Sequence, residues 1–351
     1  MYAWPEVRRG GERYLHELAG ALALAGHDVR ILTTGISAGG GEVRGVPVRR
    51  FRRHHLPRMG AQADEAAFGL QSLASLAAAR IDVWHAMGTA DGLAAAELSR
   101  VRGIRSVFTD HGFPNRASRE RRPDHGVFQR LVRHVDRYVC VSEAAGAFLR
   151  EGYGRTPDVL SGGVDVDRFQ PGTREARPTL LFASDASESR KNLPLLLEAV
   201  AELRHRGVDV DLWVAGPGDQ TAALAAAPPE AQAATTLLGS VDPEALIGLY
   251  GRAWVTVLPA HAEAFGLVLV ESLACGTPIV ALDEGGPREI VRPEVGALCP
   301  ATAVDLARAC EEAVALAANP STTAICRDAA MAWDWRTSIV PRMETIYGGA
   351  A

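Results

Sequence analysis

The chain has 351 residues, 47% hydrophobic and 23% charged, with a formal net charge of -5 and a pI near 6.1. That length suits one large or two ordinary domains with a sizeable core, and the mild acidity argues against a general nucleic-acid binder. Five scattered cysteines without a CxxC pair point to a reduced, cytoplasmic protein without a zinc cluster; no apolar run reaches the about 18 residues of a membrane span, and no signal-peptide pattern opens the chain.

In chain order, strand-like and helix-like patterns alternate, which predicts α/β units with mainly parallel sheets. The first ten residues, MYAWPEVRRG, contain no apolar run. Next, 11–26 carries Leu15, Leu18, Ala19 and Leu22 at helical spacing and stops at Gly26, a good helix terminator. A βαβ unit would place a strand before that helix. Either the true start lies upstream, or the fold lacks the first strand of its N-terminal domain. Strands are then predicted over 28–34, 82–86, 104–109 and 137–141, with helices between them. The stretch QPGTREARP, 170–178, reads as a linker. Beyond it, strands are predicted over 179–183, 211–215, 235–238, 254–258 and 278–282. Two successive α/β domains are the simplest organisation, over 1–170 and 171–330, with a terminal segment 331–351.

Charge divides unevenly between these halves. Residues 1–170 hold 24 arginines and 19 acids, a net +5; residues 171–351 hold 12 arginines, one lysine and 23 acids, a net -10. Two stretches concentrate the basicity, RRFRRHHLPR (49–58) and NRASRERR (115–122). They read first as solvated arginine-rich loops. Their functional reading is attraction to an anionic partner, a phosphate-bearing acceptor or the inner face of a membrane. Of 37 basic residues, 36 are arginine, and the single lysine is Lys191, beside Arg190 and just ahead of a predicted helix. GC-rich coding, as in actinobacteria, would account for the bias.

The chemistry concentrates in AHAEAFGLVLVESLACGTPIV, 260–280. An apolar strand ends at Leu258-Pro259, a loop carries Glu263 and then Phe265-Gly266, and a helix follows with Glu271 inside it. Ligands bind open α/β sheets in the crevice at the carboxyl ends of parallel strands, and amides at a helix start favour phosphate there. A carboxylate with two acceptor oxygens suits a pair of vicinal hydroxyls on ribose or hexose. Glu271 stands between Val270 and Leu273 in an otherwise apolar segment, where a solvated helix face explains it poorly.

This segment resembles the E-x7-E signature of the retaining GT-B glycosyltransferases of family 4. Similar family features run through most of the chain: GGERYLHELAGALALAGHDVRILTT (10–34), SVFTDHGFPN (106–115), VSEAAGAFLREGY (141–153), GGVDVDRFQP (162–171), RKNLPLLLEAV (190–200), VAGPGD (214–219) and GSVDPEALIGLYGRAWVTVLPA (239–260). The resemblance implies GT-B architecture, with two Rossmann-like α/β/α domains facing a cleft. The second would bind a nucleotide-diphosphate sugar, the first would hold the acceptor, and a C-terminal helix would cross back to the N-terminal domain.

By the same resemblance Glu271 binds the ribose and Glu263 the hydroxyls of the transferred sugar. Phe265, Gly266, Leu267 and Val268 line the sugar and diphosphate. Lys191 lies against the diphosphate, where a fixed cation stabilises the departing charge. Gly10 and Gly11 form the loop between the first strand and helix, and His111, just past its strand, reaches the reacting centre. Two departures from the family pattern stand out. No Gly-Arg precedes Lys191, so Arg190 would substitute for that arginine, and the usual Asn-Gly-Val-Asp reads Gly162-Gly163-Val164-Asp165.

The implied activity is metal-independent hexosyl transfer from a nucleotide-diphosphate sugar to an acceptor hydroxyl, with no cofactor. The acceptor is open: a lipid, a glycan or a small metabolite. Asp165-Val166-Asp167 resembles a metal-binding DxD but fits better as part of a turn. No GxxxxGK occurs, Gly216-Pro217-Gly218 is too short for a dinucleotide fingerprint, and the position of Lys191 disfavours a Schiff-base role. Two rivals remain, a sugar-nucleotide epimerase of the same fold and a non-catalytic nucleotide-sugar-binding protein.

Overall fold

The computed structural model describes residues 10–35, 37–52, 60–76, 80–112 and 120–348, the side chains of 60–66 and 76 excepted. The residues that would hold a strand ahead of the first helix, 1–9, lie outside that set, as do 53–58 and 115–119 of the two basic stretches. The chain divides into two compact units, one of Met1–Gly163 with Trp335–Ala351, the other of Val164–Asp334.

Among the described residues of the first unit, two sheets form. In one, β1 (Ile31–Gly35) pairs in parallel with β3 (Val46–Arg52), which pairs antiparallel with β2 (Gly39–Val43). The other is parallel, in the order β4 (Val83–Ala86), β5 (Arg105–Asp110), β6 (Arg137–Cys140), β7 (Asp158–Val159). The β2–β3 hairpin was not expected. Its turn is Arg44-Gly45, both with positive φ (52° and 76°), the backbone a two-residue hairpin loop needs. Nothing local announces β2, which reads Gly-Gly-Gly-Glu-Val and is nearly all exposed. What holds the hairpin is tertiary: Val46 and Val48 of β3 are buried against Ala19 and Ile31. Arg49–Arg52, read as part of a basic loop, are therefore strand.

The first helix runs Gly10–Leu24, and Gly26 closes it at φ 98°. Gly10 and Gly11 thus stand in its first turn, a correction to their expected place in a loop before it. The helix packs Tyr14, Leu18 and Leu22 on Val107, Val139 and Leu160, together with Trp335, Ile339, Met343 and Ile346 of the C-terminal segment.

The second unit contains one six-stranded parallel sheet: β8 (Thr179–Ala183), β9 (Asp211–Ala215), β10 (Thr235–Gly239), β11 (Val255–Leu258), β12 (Ile279–Leu282) and β13 (Gly296–Cys299). Their order is β10-β9-β8-β11-β12-β13. Helices cover both faces, so the central strands read as continuous apolar runs rather than alternating ones. Leu180, Phe182, Leu212, Val214, Val255 and Val280 are essentially inaccessible to water, and each such burial stabilises by about 1.5–3 kcal/mol. The order reverses direction between β8 and β11, which is the switch point where this sheet type opens a ligand crevice at its carboxyl edge.

Candidate active site

The two loops that leave β8 and β11 flank this switch point. The strands are neighbours, Val255 paired with Leu180 and Thr256 with Leu181, so their carboxyl ends deliver residues far apart in sequence to one place. The β8 loop is held down by glycines of the next loop. A Cβ at Gly216 would lie 2.1 Å from the Ser184 carbonyl oxygen, and one at Gly218 2.5 Å from the Ser187 nitrogen. Both have positive φ, so glycine is required there on two counts. The loop ends in a single 3₁₀ turn, Ser189–Lys191, and Asn192 turns the chain through a left-handed conformation (φ 57°) into the helix Leu193–His205.

From the other side, the β11 loop brings Glu263. Lys191 Nζ lies 2.6 Å from Glu263 Oε2, and Arg190 donates to the same oxygen at 3.1 Å. Arg190 also pairs with Glu188 at 2.8 Å. Glu263 is 9% exposed. Burial by itself raises the pKa of its carboxyl, but the Lys191 and Arg190 charges and hydrogen bonds outweigh this and hold it below the usual range. A buried carboxylate with two cations makes a site that exchanges hydrogen bonds with polyhydroxylated and anionic groups.

Gly266, at φ 101°, turns the chain into the helix Leu267–Ala274. A Cβ there would press on Leu269 and Leu258 at 3.1 and 3.3 Å. Phe265 is buried and meets the Trp333 ring at 6.4 Å. Leu267 and Val268 are half-buried in the first turn, whose amides face outward from the helix start. Glu271 lies in the second turn at 1% exposure, among Leu269, Val270 and Leu273. A carboxylate so placed is costly unless hydrogen-bonded, and the Tyr250 hydroxyl donates to its Oε2 at 2.8 Å.

Three contributors were not foreseen. Tyr250 is one; nothing local marks it. The Gly285-Gly286 turn after β12 is another. Cβ atoms there would fall 2.5 Å from the Glu263 carbonyl oxygen and 2.3 Å from that of Ala264, and the Gly286 amide donates to Glu263 O at 2.9 Å. Its Gly-Gly dipeptide was a readable turn signal. His261 is the third, its Nδ1 2.6 Å from Glu284 Oε1 beside that turn.

In the first unit, His111 stands just past β5. Its Nε2 is buried without a hydrogen-bond partner among the described residues, and burial lowers its pKa to about 4. Its ring packs edge-on to Tyr14 at 4.5 Å, and Tyr14 in turn contacts Trp335 at 5.6 Å. Beside it, His85 bridges the hydroxyls of Tyr347 and Thr109, each at 2.7 Å. Burial, with a smaller effect of His111, lowers the His85 pKa to about 3. Asp165, of the DxD look-alike, accepts from the amides of Asp167 and Arg168 at 3.2 and 3.1 Å, which makes it a turn former. Among the described residues, no group of three or more His, Cys, Asp or Glu could hold a metal ion, and no helix is long and apolar enough to cross a membrane.

A six-stranded parallel sheet of this order is Rossmann-like, and it carries a cation–carboxylate pair at its switch point and a second, buried glutamate eight residues on, in keeping with the GT-B resemblance. Comparison with known proteins agrees. Residues 8–168 match the family model described as Glycosyltransferase Family 4, and residues 164–326 the one described as Glycosyl transferases group 1. The chain is 30% identical to the D-inositol 3-phosphate glycosyltransferase of Pseudarthrobacter chlorophenolicus, covering 84% of each chain. It is 29% identical to the glycogen synthase of Mycobacterium tuberculosis, covering 85% of this chain and 81% of that one. Its fold matches that of Anabaena HepE, solved with UDP-glucose, at a TM-score of 0.74 and 17% identity over 97% of each chain. The chain belongs to the family 4 glycosyltransferases.

Proposed function

We propose that the protein is a retaining, metal-independent transferase that moves a hexosyl group from a nucleotide-diphosphate sugar to an acceptor hydroxyl. The observation that carries this reading is the meeting of Lys191, Arg190 and Glu263 at the β8–β11 switch point. Lys191 and Arg190 neutralise the diphosphate, and the outward amides of Phe265, Gly266, Leu267 and Val268 supplement them. Glu263 accepts from hydroxyls of the sugar, and Glu271 from the ribose. In the first unit His111 offers its unsatisfied Nε2 to the sugar, with Gly10 and Gly11 giving close backbone approach at the start of their helix. The solved complex of HepE with UDP-glucose supports a donor of this class.

In the reaction, the bond between the anomeric carbon and the phosphate oxygen breaks, and the acceptor oxygen bonds to that carbon on the same face. The acceptor's proton passes to the departing phosphate. Negative charge grows on the diphosphate as it leaves, and a preorganised ammonium there lowers the barrier without needing a metal. Retention rests on family likeness. The net positive charge of residues 1–170 favours an anionic acceptor, in keeping with the phosphorylated acceptor in the name of the inositol relative.

A thermal-shift panel of UDP, GDP, ADP and dTDP with their sugar conjugates tests the donor site. A ligand at a hundredfold excess over its Kd adds about 2.7 kcal/mol of stability. One base series should raise Tm, and Lys191→Ala should remove most of the gain. With that donor, NMR of the product in the presence of a chelator should show the donor's own anomeric configuration. Absence of any nucleotide effect, an inverted product, or loss of turnover in the chelator would each overturn the corresponding part.

A further inference from the structure

We infer that His261 is a positioning residue of the donor site, clasping the Arg190–Asn192 turn to the Glu263 loop and to the turn after β12. The inference rests on the donor roles proposed above for Lys191 and Glu263. His261 is one of two histidines in residues 171–351, and it stands where three loops meet. Its amide donates to the Arg190 carbonyl at 2.8 Å. Its Nδ1 lies 2.6 Å from Glu284 Oε1, and its Nε2 lies 3.4 Å from Asn192 Nδ2. Glu284 is followed by the Gly285-Gly286 turn, which returns a hydrogen bond to the Glu263 carbonyl at 2.9 Å. The ring therefore ties the cation-bearing turn to the two loops that carry and brace the carboxylate.

Backbone geometry explains why such a tie is needed. Asn192 and Ala262 both adopt left-handed backbone, φ 57° and 48°, which asparagine tolerates and alanine populates reluctantly. They follow directly on Lys191 and His261. Both turns adjoin the Lys191–Glu263 pair, and the one at Ala262 persists only if the surroundings hold it. An isolated surface ion pair stabilises little. His261 and Glu284 are half exposed, so their value lies in joining loops, and removing the ring releases the turn without opening the core.

The lone lysine provides a readout that needs no substrate. An endoproteinase that cleaves after lysine can cut this chain only at Lys191, giving fragments 1–191 and 192–351. Cleavage in the native protein requires the Ser189–Asn192 turn to open locally. We expect His261→Ala and Glu284→Ala to raise the native cleavage rate by about threefold or more at unchanged Tm. His261→Gln, which keeps a side-chain donor, should stay near wild type. Affinity for the stabilising nucleoside diphosphate should fall with His261→Ala and recover with His261→Gln. Cleavage of His261→Ala at the wild-type rate overturns the clasp. Faster cleavage with undiminished nucleotide affinity leaves the clasp but overturns its role at the donor site. If the wild type binds no nucleoside diphosphate, the donor reading itself falls, while the cleavage rates still judge the clasp.

Discussion

The Lys191 ammonium lies 2.6 Å from the Glu263 carboxylate, joining the only lysine of the chain to the first glutamate of the E-x7-E segment across 72 residues. Each partner tunes the other: the carboxylate fixes the ammonium at the switch point, and the ammonium keeps the buried carboxylate ionised. Lys191→Ala should lower kcat/KM for the nucleotide-sugar donor by about a hundredfold or more, the scale of losing one preorganised charge-stabilising group. Lys191→Arg should not restore it, because the planar guanidinium cannot take the place of a compact ammonium. Steady-state kinetics on both variants, with circular dichroism to confirm folding, settles the point.

Glu271 presents a different balance. It is inside the core, and Tyr250 satisfies one of its oxygens. Tyr250→Phe removes that donor from a buried carboxylate and should destabilise by about 1–3 kcal/mol, read as a lower urea midpoint. Glu271→Gln keeps the shape but removes the charge. It should weaken nucleotide binding more than it lowers the melting temperature, and equal affinity for wild type and variant in calorimetry would refute a ribose contact.

The turn after β12 braces the Glu263 loop by close backbone contact. In Gly286→Ala the new methyl would sit 2.3 Å from the Ala264 carbonyl oxygen and 2.5 Å from Phe265 Cα, neither of which is a movable side-chain end. The loop must shift, at a cost of about 1–3 kcal/mol. Because Glu263 and Phe265 shift with it, donor affinity should drop by about tenfold or more, 1.4 kcal/mol corresponding to each factor of ten. A titration of nucleotide into Gly286→Ala measures this directly.

Acid should destabilise the first unit through its buried histidines. Burial lowers His85 to about 3 and His111 to about 4. Below the usual histidine value of about 6.5 the unfolded chain binds protons that the folded unit does not, so stability falls with falling pH. The loss accumulates from about pH 6.5 down toward the folded values. His85→Gln retains hydrogen-bonding capacity toward Tyr347 and Thr109 but removes one proton-linked group. Its Tm should therefore decline less steeply between about pH 7 and pH 5 than that of the wild type. Parallel slopes in calorimetric melts would refute the assignment.

The residue pattern alone makes the parallel α/β organisation legible, along with the place of the E-x7-E segment after a buried strand. Strands buried on both faces are nearly continuous apolar runs, so Thr179–Ala183 and Val255–Leu258 are visible whatever their partners. The apolar setting of Glu271 and the isolation of Lys191 are likewise written in the chain. Which residues meet is a matter of strand order and packing. The β2–β3 hairpin depends on burial of Val46 and Val48 against Ala19 and Ile31, not on local propensity, which its three glycines oppose. Arg190, Lys191 and Glu263 converge because β8 and β11 are neighbours, a consequence of strand order. Tyr250 finds Glu271, Gly286 finds Glu263 and His261 finds Glu284 by the same route. These contacts join residues remote in sequence. Their free energy exists only once the sheet has set its order, and no local pattern of residues encodes it.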